Sequence, residues 1–195
     1  MCRCGPRPRC RWPRRQSQRR TWARQSRSHT PCRRWCSPPY GCGRGPTYDE
    51  HGDTGFFPHA HANVETRGEA VFAARNAIDG VYENDAHGIW PYQSWGINRD
   101  PNAALTLDFG RPVTIDELRL TLRADFPHDA WWTQATVEFD NGSREVLELK
   151  KSAAPQCFAI APRTVKSLKL FELIKADDPS PFPALTQIEA WGVEA

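Results

Sequence analysis

A ten-residue segment, residues 123–132, contains most of the side chains that could recognise a small polar molecule. Its sequence is Arg-Ala-Asp-Phe-Pro-His-Asp-Ala-Trp-Trp. An aromatic ring can lie against the C–H face of a pyranose, and Arg, Asp and His can exchange hydrogen bonds with its hydroxyl groups. The segment therefore predicts a ligand-binding loop that consists of Arg123, Asp125, His128, Trp131 and Trp132.

A packing role for part of this loop is the alternative. Adjacent residues of a strand face opposite sides, so we expect one of Trp131 and Trp132 to pack inward in either case. Arg123 could pair with Asp125 instead of contacting a ligand. The two interpretations differ in whether these groups reach solvent.

Two further stretches could add walls to the same site. Trp90 and Tyr92 are two residues apart in a loop-rich region, so they could share one face. Phe182 lies near the end of a long loop, residues 176–183, whose prolines hold its shape without regular hydrogen bonds. We predict Trp90 and Tyr92 as secondary ligand contacts and Phe182 as a third candidate, with packing as the alternative for each.

A second kind of chemistry is suggested by residues 76–80, Asn-Ala-Ile-Asp-Gly, which end in a turn dipeptide. Such a turn can direct backbone carbonyls inward beside the Asp79 carboxylate. Hard cations such as Ca²⁺ bind through six to eight oxygens of this kind. The alternative is that Asp79 only caps the turn.

The N-terminal part of the chain differs sharply in composition from the rest. Residues 1–46 contain 13 Arg, six of the seven Cys and no Lys, Asp or Glu. They have too few aliphatic side chains to bury a core, so we predict a disordered Arg/Cys/Pro-rich arm over residues 1–55. A misassigned translation start, a nucleic-acid-binding basic tail and a metal-binding segment remain open as its origin.

The remaining residues carry the opposite charge. They hold 13 Lys plus Arg against 23 Asp plus Glu, a net charge of about −10. Long-range repulsion then disfavours nucleic acid and anionic membranes as partners of this part. No run of about 20 apolar residues and no secretory signal is visible, so the sequence leaves the compartment undetermined.

The elements that must position these residues are short strands. Apolar residues alternate with polar ones around Leu105–Phe109, Ile115–Leu122 and Ala135–Phe139. Asp140-Asn141-Gly142 predicts a hairpin turn, and further strands are expected near residues 61–64, 144–149, 158–160, 165–174 and 185–193. Residues 70–78 suggest a helical turn or two. About eight short antiparallel strands with little helix favour an all-β sandwich over residues 56–195.

Several of these pieces together resemble a known superfamily. The motifs are Ala74–Gly80, Ser94-Trp95-Gly96, Leu105–Gly110, Ile115–Leu118 and Ile188–Trp191. In this order they resemble the discoidin or coagulation-factor type C superfamily, and especially the bacterial carbohydrate-binding modules of family 32. The resemblance implies a galactose-binding-like jelly roll with its ligand on loops at one end, and a secreted or cell-surface location. It also implies that Trp95 packs in the core.

The resemblance further implies a structural Ca²⁺ ion. Its ligands would be the Asn76 carbonyl, the Asp79 side chain, the Val81 carbonyl and Glu189, with Asn84 as an additional ligand. Relatives often carry a second Asp two residues after the first, where this chain has Val81. One negative charge is therefore missing, which should weaken binding of the ion.

No catalytic motif is evident in the sequence. There is no G-x-S-x-G, no helix start that would activate Cys157, and no acid at metal-site spacing from His59-x-His61. We predict a non-catalytic carbohydrate-binding module that recognises a neutral glycan, with a larger glycan-active protein as a further partner. The alternatives are a glycan-acting enzyme that uses loop acids among Asp125, Asp129, Asp177 and Asp178, or its accessory domain, and a discoidin-type protein-interaction module.

Overall fold

The computed structural model describes residues 57–82, 92–124 and 130–195. The strands are β1 His59–Ala62, β2 Trp95–Gly96, β3 Leu105–Leu122, β4 Trp132–Phe139, β5 Arg144–Glu148, β6 Gln156–Lys175 and β7 Ala184–Glu194. They form one antiparallel sheet that folds back on itself, with strand order β2-β7-β3-β6-β4-β5 and β1 paired to β3.

The two longest strands, β3 and β6, run through both layers of the sandwich. Residues 105–108 of β3 pair with β1 and with residues 167–170 of β6. Residues 113–120 of β3 pair instead with β7 and with residues 156–165 of β6. The register shifts between these two parts of β3. The first layer therefore contains β1, β4 and β5, and the second contains β7 and β2.

Two glycines are required by the fold, one at the bend in β3 and one where β7 approaches β3. Gly110, at the change of layer, has a φ of 67°, a left-handed conformation that favours glycine. At Gly192 of β7 a Cβ atom would lie 1.9 Å from the backbone oxygen of Thr114 in β3. Close approach of β3 and β7 thus requires the absence of a side chain at position 192.

The predicted hairpin turn at residues 140–142 is confirmed between β4 and β5. Gly142 has a φ of 80°, and its N–H donates to the carbonyl of Phe139 at 2.8 Å. The Asn141 side-chain oxygen accepts the N–H of Ser143 at 2.9 Å. Asn and Gly supply the local hydrogen bond and the left-handed residue that such a turn needs.

The core lies between the layers and is formed by the inward-facing residues of the strands. Trp95 is fully buried, and its indole N–H donates to the carbonyl of Val64 at 2.9 Å, which confirms its predicted packing role. The largest other buried side chains are Trp132, Phe109, Phe139 and leucines of β3 and β6. Burial of each large apolar side chain stabilises the fold by about 1.5–3 kcal/mol.

The all-β sandwich is confirmed, with differences in the number and bounds of its strands. The described residues contain seven strands rather than about eight, because two predicted pairs of strands are continuous and the short strand β2 was not predicted. Gly110 bends β3 without ending it, and β6 likewise spans two predicted strands. The helical turns predicted over residues 70–78 are short 3-10 turns at Ala70–Phe72 and Ala74–Ile78, and a further 3-10 turn at Thr66–Gly68 was not predicted.

Candidate ligand-binding end of the sandwich

Four loops leave the sandwich at the same end, which we call the loop end. They are residues 97–104 after β2, the described ends 123–124 and 130–131 of the segment between β3 and β4, 149–155 after β5 and 176–183 after β6. Strand pairing places the end of β3 beside the start of β7, and the start of β4 beside the end of β6. The hairpin turn and the β3 bend lie at the opposite end. Long loops on a rigid sandwich are common positions for binding residues.

Arg123 and Tyr92, two of the predicted ligand contacts, are brought together at this end. The backbone N–H of Arg123 donates to the carbonyl of Ala184 at 3.0 Å, which anchors the start of the loop to β7. The guanidinium carbon lies 5.6 Å from the centre of the Tyr92 ring, within cation–π range. Tyr92 in turn meets Phe72 edge to face, with 6.4 Å between ring centroids. Arg123 is only 7% exposed, so the packing holds its orientation.

The two adjacent tryptophans have different roles, as the alternation of strand residues predicted. Trp132 begins β4 and is fully buried, so its assignment as a ligand contact needs correction: it is a core residue. Trp131 is half-buried and packs against the core. Its carbonyl accepts the N–H of Ala176 at 2.9 Å, which joins two of the loops. Trp131 stays a predicted contact.

Three predicted ligand contacts, Asp125, His128 and Trp90, lie outside the described residues, as does Asn84.

Phe182 is the exposed aromatic side chain of the described part of the loop end. It is 51% exposed and lies two residues before Ala184, the residue to which Arg123 is anchored. The guanidinium carbon of Arg99 lies 4.4 Å from the centre of its ring. An exposed ring of this kind provides an apolar face for a ligand.

Arg99 was missed by sequence reasoning. It follows Asn98 in a turn closed by the N–H of Asp100 and the carbonyl of Ile97 at 2.9 Å. Asn98 and Arg99 have φ values of 49° and 63°, both left-handed, although neither is glycine. Left-handed non-glycine residues cost free energy and are frequent at functional sites. Because arginine is unusual in such a turn, no sequence pattern indicated this position.

The loop of residues 176–183 is held in place by Asp178. Its Oδ1 accepts the N–H of Ser180 at 2.9 Å, and its Oδ2 contacts Nζ of Lys151 at 3.3 Å. The hydrogen bond from Ser180 and the neighbouring lysines lower the pKa of Asp178. This carboxylate therefore positions a loop, which explains its charge without a catalytic role.

The Asp79 turn lies against β7, as the predicted metal site requires. The N–H of Gly80 donates to Oε1 of Gln187 at 3.2 Å. The Tyr82 hydroxyl donates to Oε1 of Glu189, and the indole N–H of Trp191 donates to Oε2 of the same carboxylate at 2.7 Å. Gln187, Glu189 and Trp191 alternate along β7 and so share one face. That alternation was the sequence signal that could have placed Trp191 beside Glu189.

Asp79 itself is already hydrogen-bonded. Its Oδ1 accepts the N–H of Val81 at 2.8 Å, and its Oδ2 accepts Nε2 of Gln93 at 3.0 Å. Part of the residue reaches solvent, yet loss of water around the carboxylate raises the pKa of Asp79 to about 6, against the effect of both hydrogen bonds. Asn76 is buried, and its side-chain amide donates to the carbonyl of Ala70 at 2.9 Å.

As these side chains lie, the described residues do not fit a calcium site. The predicted set supplies two carboxylates, and all four of their oxygens accept hydrogen bonds from the protein. Val81 contributes no side-chain oxygen. Within the part of the chain that the structure describes, no group of three or more His, Cys, Asp or Glu could hold a metal ion. Calcium binding stays a prediction from the resemblance, and these hydrogen bonds argue against it.

Comparison with solved structures identifies the fold. The family 32 carbohydrate-binding module of Clostridium perfringens NanJ, solved with galactose, aligns with a TM-score of 0.52 and 16% identity over 69% of this chain and 93% of that one. The lectin domain of lectinolysin, solved with Lewis B antigen, aligns with a TM-score of 0.54 and 16% identity over 71% and 94%.

One similar structure is a larger enzyme. A Ruminococcus gnavus GH29 fucosidase, solved with fucose, aligns with a TM-score of 0.52 and 15% identity over 71% of this chain but only 25% of that one. No protein-family model matches the chain, and no curated protein matches it. No helix among the described residues is long and apolar enough to cross a membrane. The structural likeness shows that this chain has the galactose-binding-like β-sandwich fold found in family 32 carbohydrate-binding modules and related lectin domains.

Proposed function

We propose that the folded part of this chain is a non-catalytic carbohydrate-binding module whose ligand lies at the loop end. The observation that supports this most is the convergence of Arg123, Tyr92 and Phe182 on one end of a fold whose solved examples include galactose- and Lewis B-bound domains. Phe182 supplies an exposed apolar face, whereas Arg123 is 7% exposed and lies beneath this end of the sandwich against the Tyr92 ring. An exposed aromatic face can stack on the C–H side of a sugar ring.

The held geometry of these groups favours binding. Arg123 is fixed by its backbone hydrogen bond to Ala184 and by the Tyr92 ring, so little side-chain entropy remains to be lost when a ligand arrives. Asp178 is engaged with Lys151 and Ser180. Its role as a loop anchor weakens the alternative that it belongs to a glycoside-cleaving pair.

The structural comparison and the net charge also bear on the protein's partners, its location and the charge of its ligand. The fucosidase that contains a similar domain in a quarter of its chain supports a role beside a glycan-active enzyme, and we place the protein outside the cell or at its surface. A neutral glycan is favoured because residues 56–195 hold 13 Lys plus Arg against 20 Asp plus Glu, a net charge of about −7.

Glycan-array binding of the full chain and matched variants tests this proposal. We expect binding to at least one glycan, weakened roughly 5- to 10-fold by Phe182→Ala, since stacking on an aromatic ring contributes about 1 kcal/mol. Phe57→Ala is the matched control, because Phe57 is 41% exposed but lies against Gly110 at the opposite end. A chain that binds no glycan, or that responds equally to both substitutions, contradicts the proposal. Release of sugar from the bound glycan would instead support the enzyme alternative.

A further inference from the structure

We propose that the turn of residues 79–82 is fastened to β7 by the chain's own hydrogen-bond donors, so that the fold is complete without the calcium ion that the resemblance implies. The fastening group is the Glu189 carboxylate with its two donors, the Tyr82 hydroxyl and the Trp191 indole N–H. The inference concerns the stability of the sandwich and does not depend on which ligand the loop end binds.

Burial makes the pairing of Glu189 necessary. The residue is 4% exposed, and a buried carboxylate without partners would cost several kcal/mol. Both of its oxygens accept a hydrogen bond, one from Tyr82 in the turn and one from Trp191 in β7. Hydrogen bonds to a charged acceptor are roughly twice as strong as those between neutral groups. Tyr82 and Trp191 thus provide the compensation that a cation would otherwise supply.

A positive charge completes the surroundings of this carboxylate. Arg119 is the cross-strand partner of Glu189 in the β3–β7 register, and its guanidinium carbon lies 3.9 Å from the centre of the Trp191 ring. It also forms an ion pair with Glu117. The guanidinium therefore holds the indole whose N–H donates to Glu189 and places a fixed charge beside it.

The rest of the turn is closed in the same way. Gly80 donates to Gln187, and Asp79 accepts from Val81 and Gln93. Gln187 is fully buried, so its side-chain oxygen needs this donor. The turn is therefore joined to β7 at two successive positions on one face of the strand, Gln187 and Glu189, and each contact uses a protein donor.

Thermal unfolding of the full chain in excess calcium and in a calcium chelator tests the inference directly. We expect the two Tm values to agree within about 1 °C, because an ion that does not bind the native state adds no stability. A structural ion present at a hundred times its Kd would raise Tm by roughly 5 °C or more. A saturable rise of that size, lost in Glu189→Gln, would overturn the proposal.

Two substitutions keep the inference testable when calcium has no effect. Tyr82→Phe removes one donor and should lower Tm by roughly 3–8 °C, equally with calcium and with chelator. Glu148→Gln, an exposed carboxylate on β5, is the matched control for Glu189→Gln and should leave Tm unchanged. If Tyr82→Phe is as stable as the unaltered protein, Tyr82 does not fasten the turn and the proposal fails. If Glu189→Gln does not fold, Tyr82→Phe and the calcium comparison still decide.

Discussion

Neighbouring residues of the same type can have different structural roles, and Trp131 and Trp132 show this most directly. Trp132 is fully buried in the core, whereas Trp131 is half-buried at the loop end. Trp132→Ala should destabilise the protein by about 3–5 kcal/mol through lost burial and an unfilled cavity. Trp131→Ala should cost about 1 kcal/mol but weaken glycan binding. Urea unfolding and glycan titration of both variants check this, and a reversed order of the two stabilities would contradict the structure.

The single carboxylate of Asp178 should make the stability of the fold depend on pH. The Ser180 N–H, followed by Lys151 and Lys175, lowers the pKa of this carboxyl below its unfolded value. A lowered pKa in the folded state means that Asp178 contributes stability above its unfolded pKa, and that this contribution is lost as pH falls through the folded value. NMR titration should therefore show Asp178 ionising below the ordinary range for aspartate. Lys151→Gln should raise its pKa toward that range, while Lys166→Gln, away from the loop, should not.

At the scale of elements, the close approach of β3 and β7 depends on one missing side chain. A Cβ at Gly192 would lie 1.9 Å from the Thr114 carbonyl oxygen, which can be relieved only by moving backbone. Gly142 provides a comparison without a steric clash, since a Cβ there meets nothing within 4 Å, although its φ of 80° is left-handed. Gly142→Ala should cost about 1 kcal/mol, and Gly192→Ala clearly more. If both variants lost the same free energy of unfolding in denaturant, β3 and β7 would be able to move apart at little cost in free energy.

Elements were predicted best where the sequence alternates and where a turn has a strong local preference. The alternation of β4 and the Asp140-Asn141-Gly142 turn specify that hairpin locally. The segment Gly110-Arg111-Pro112 predicted a break between two strands, but pairing with β6 on both sides of the bend keeps β3 continuous. Local signals cannot show that a strand continues into the other layer, because the partner that decides it is far away in sequence.

The candidate site was predicted less completely than the fold, for a related reason. Arg123 and Tyr92 were chosen for their chemistry, and the structure brings them together through an anchor on β7. Trp132 has the same chemistry as Trp131, and only its position at the start of β4 places it in the core. Arg99 reaches Phe182 through a left-handed turn. Composition of a loop indicates what it could bind, whereas the contacts made across loops determine which side chains are available.

At the scale of the whole molecule, the sandwich should unfold in one step, because β3 and β6 belong to both of its layers. If β4 separated from the first layer, the part of β6 that pairs with β4 would lose its hydrogen-bond partner. The core between the two layers, which β7 packs against from the second layer, would then be exposed to solvent. Cooperative units of this kind exchange their most protected amides only by global unfolding. Hydrogen exchange should therefore give one free energy for central amides of β4, such as Val137, and of β7, such as Ile188. The exposed edge strand β5 serves as the internal control and should exchange with a lower free energy. Different limiting values for β4 and β7 would mean that the two layers unfold separately despite the strands they share.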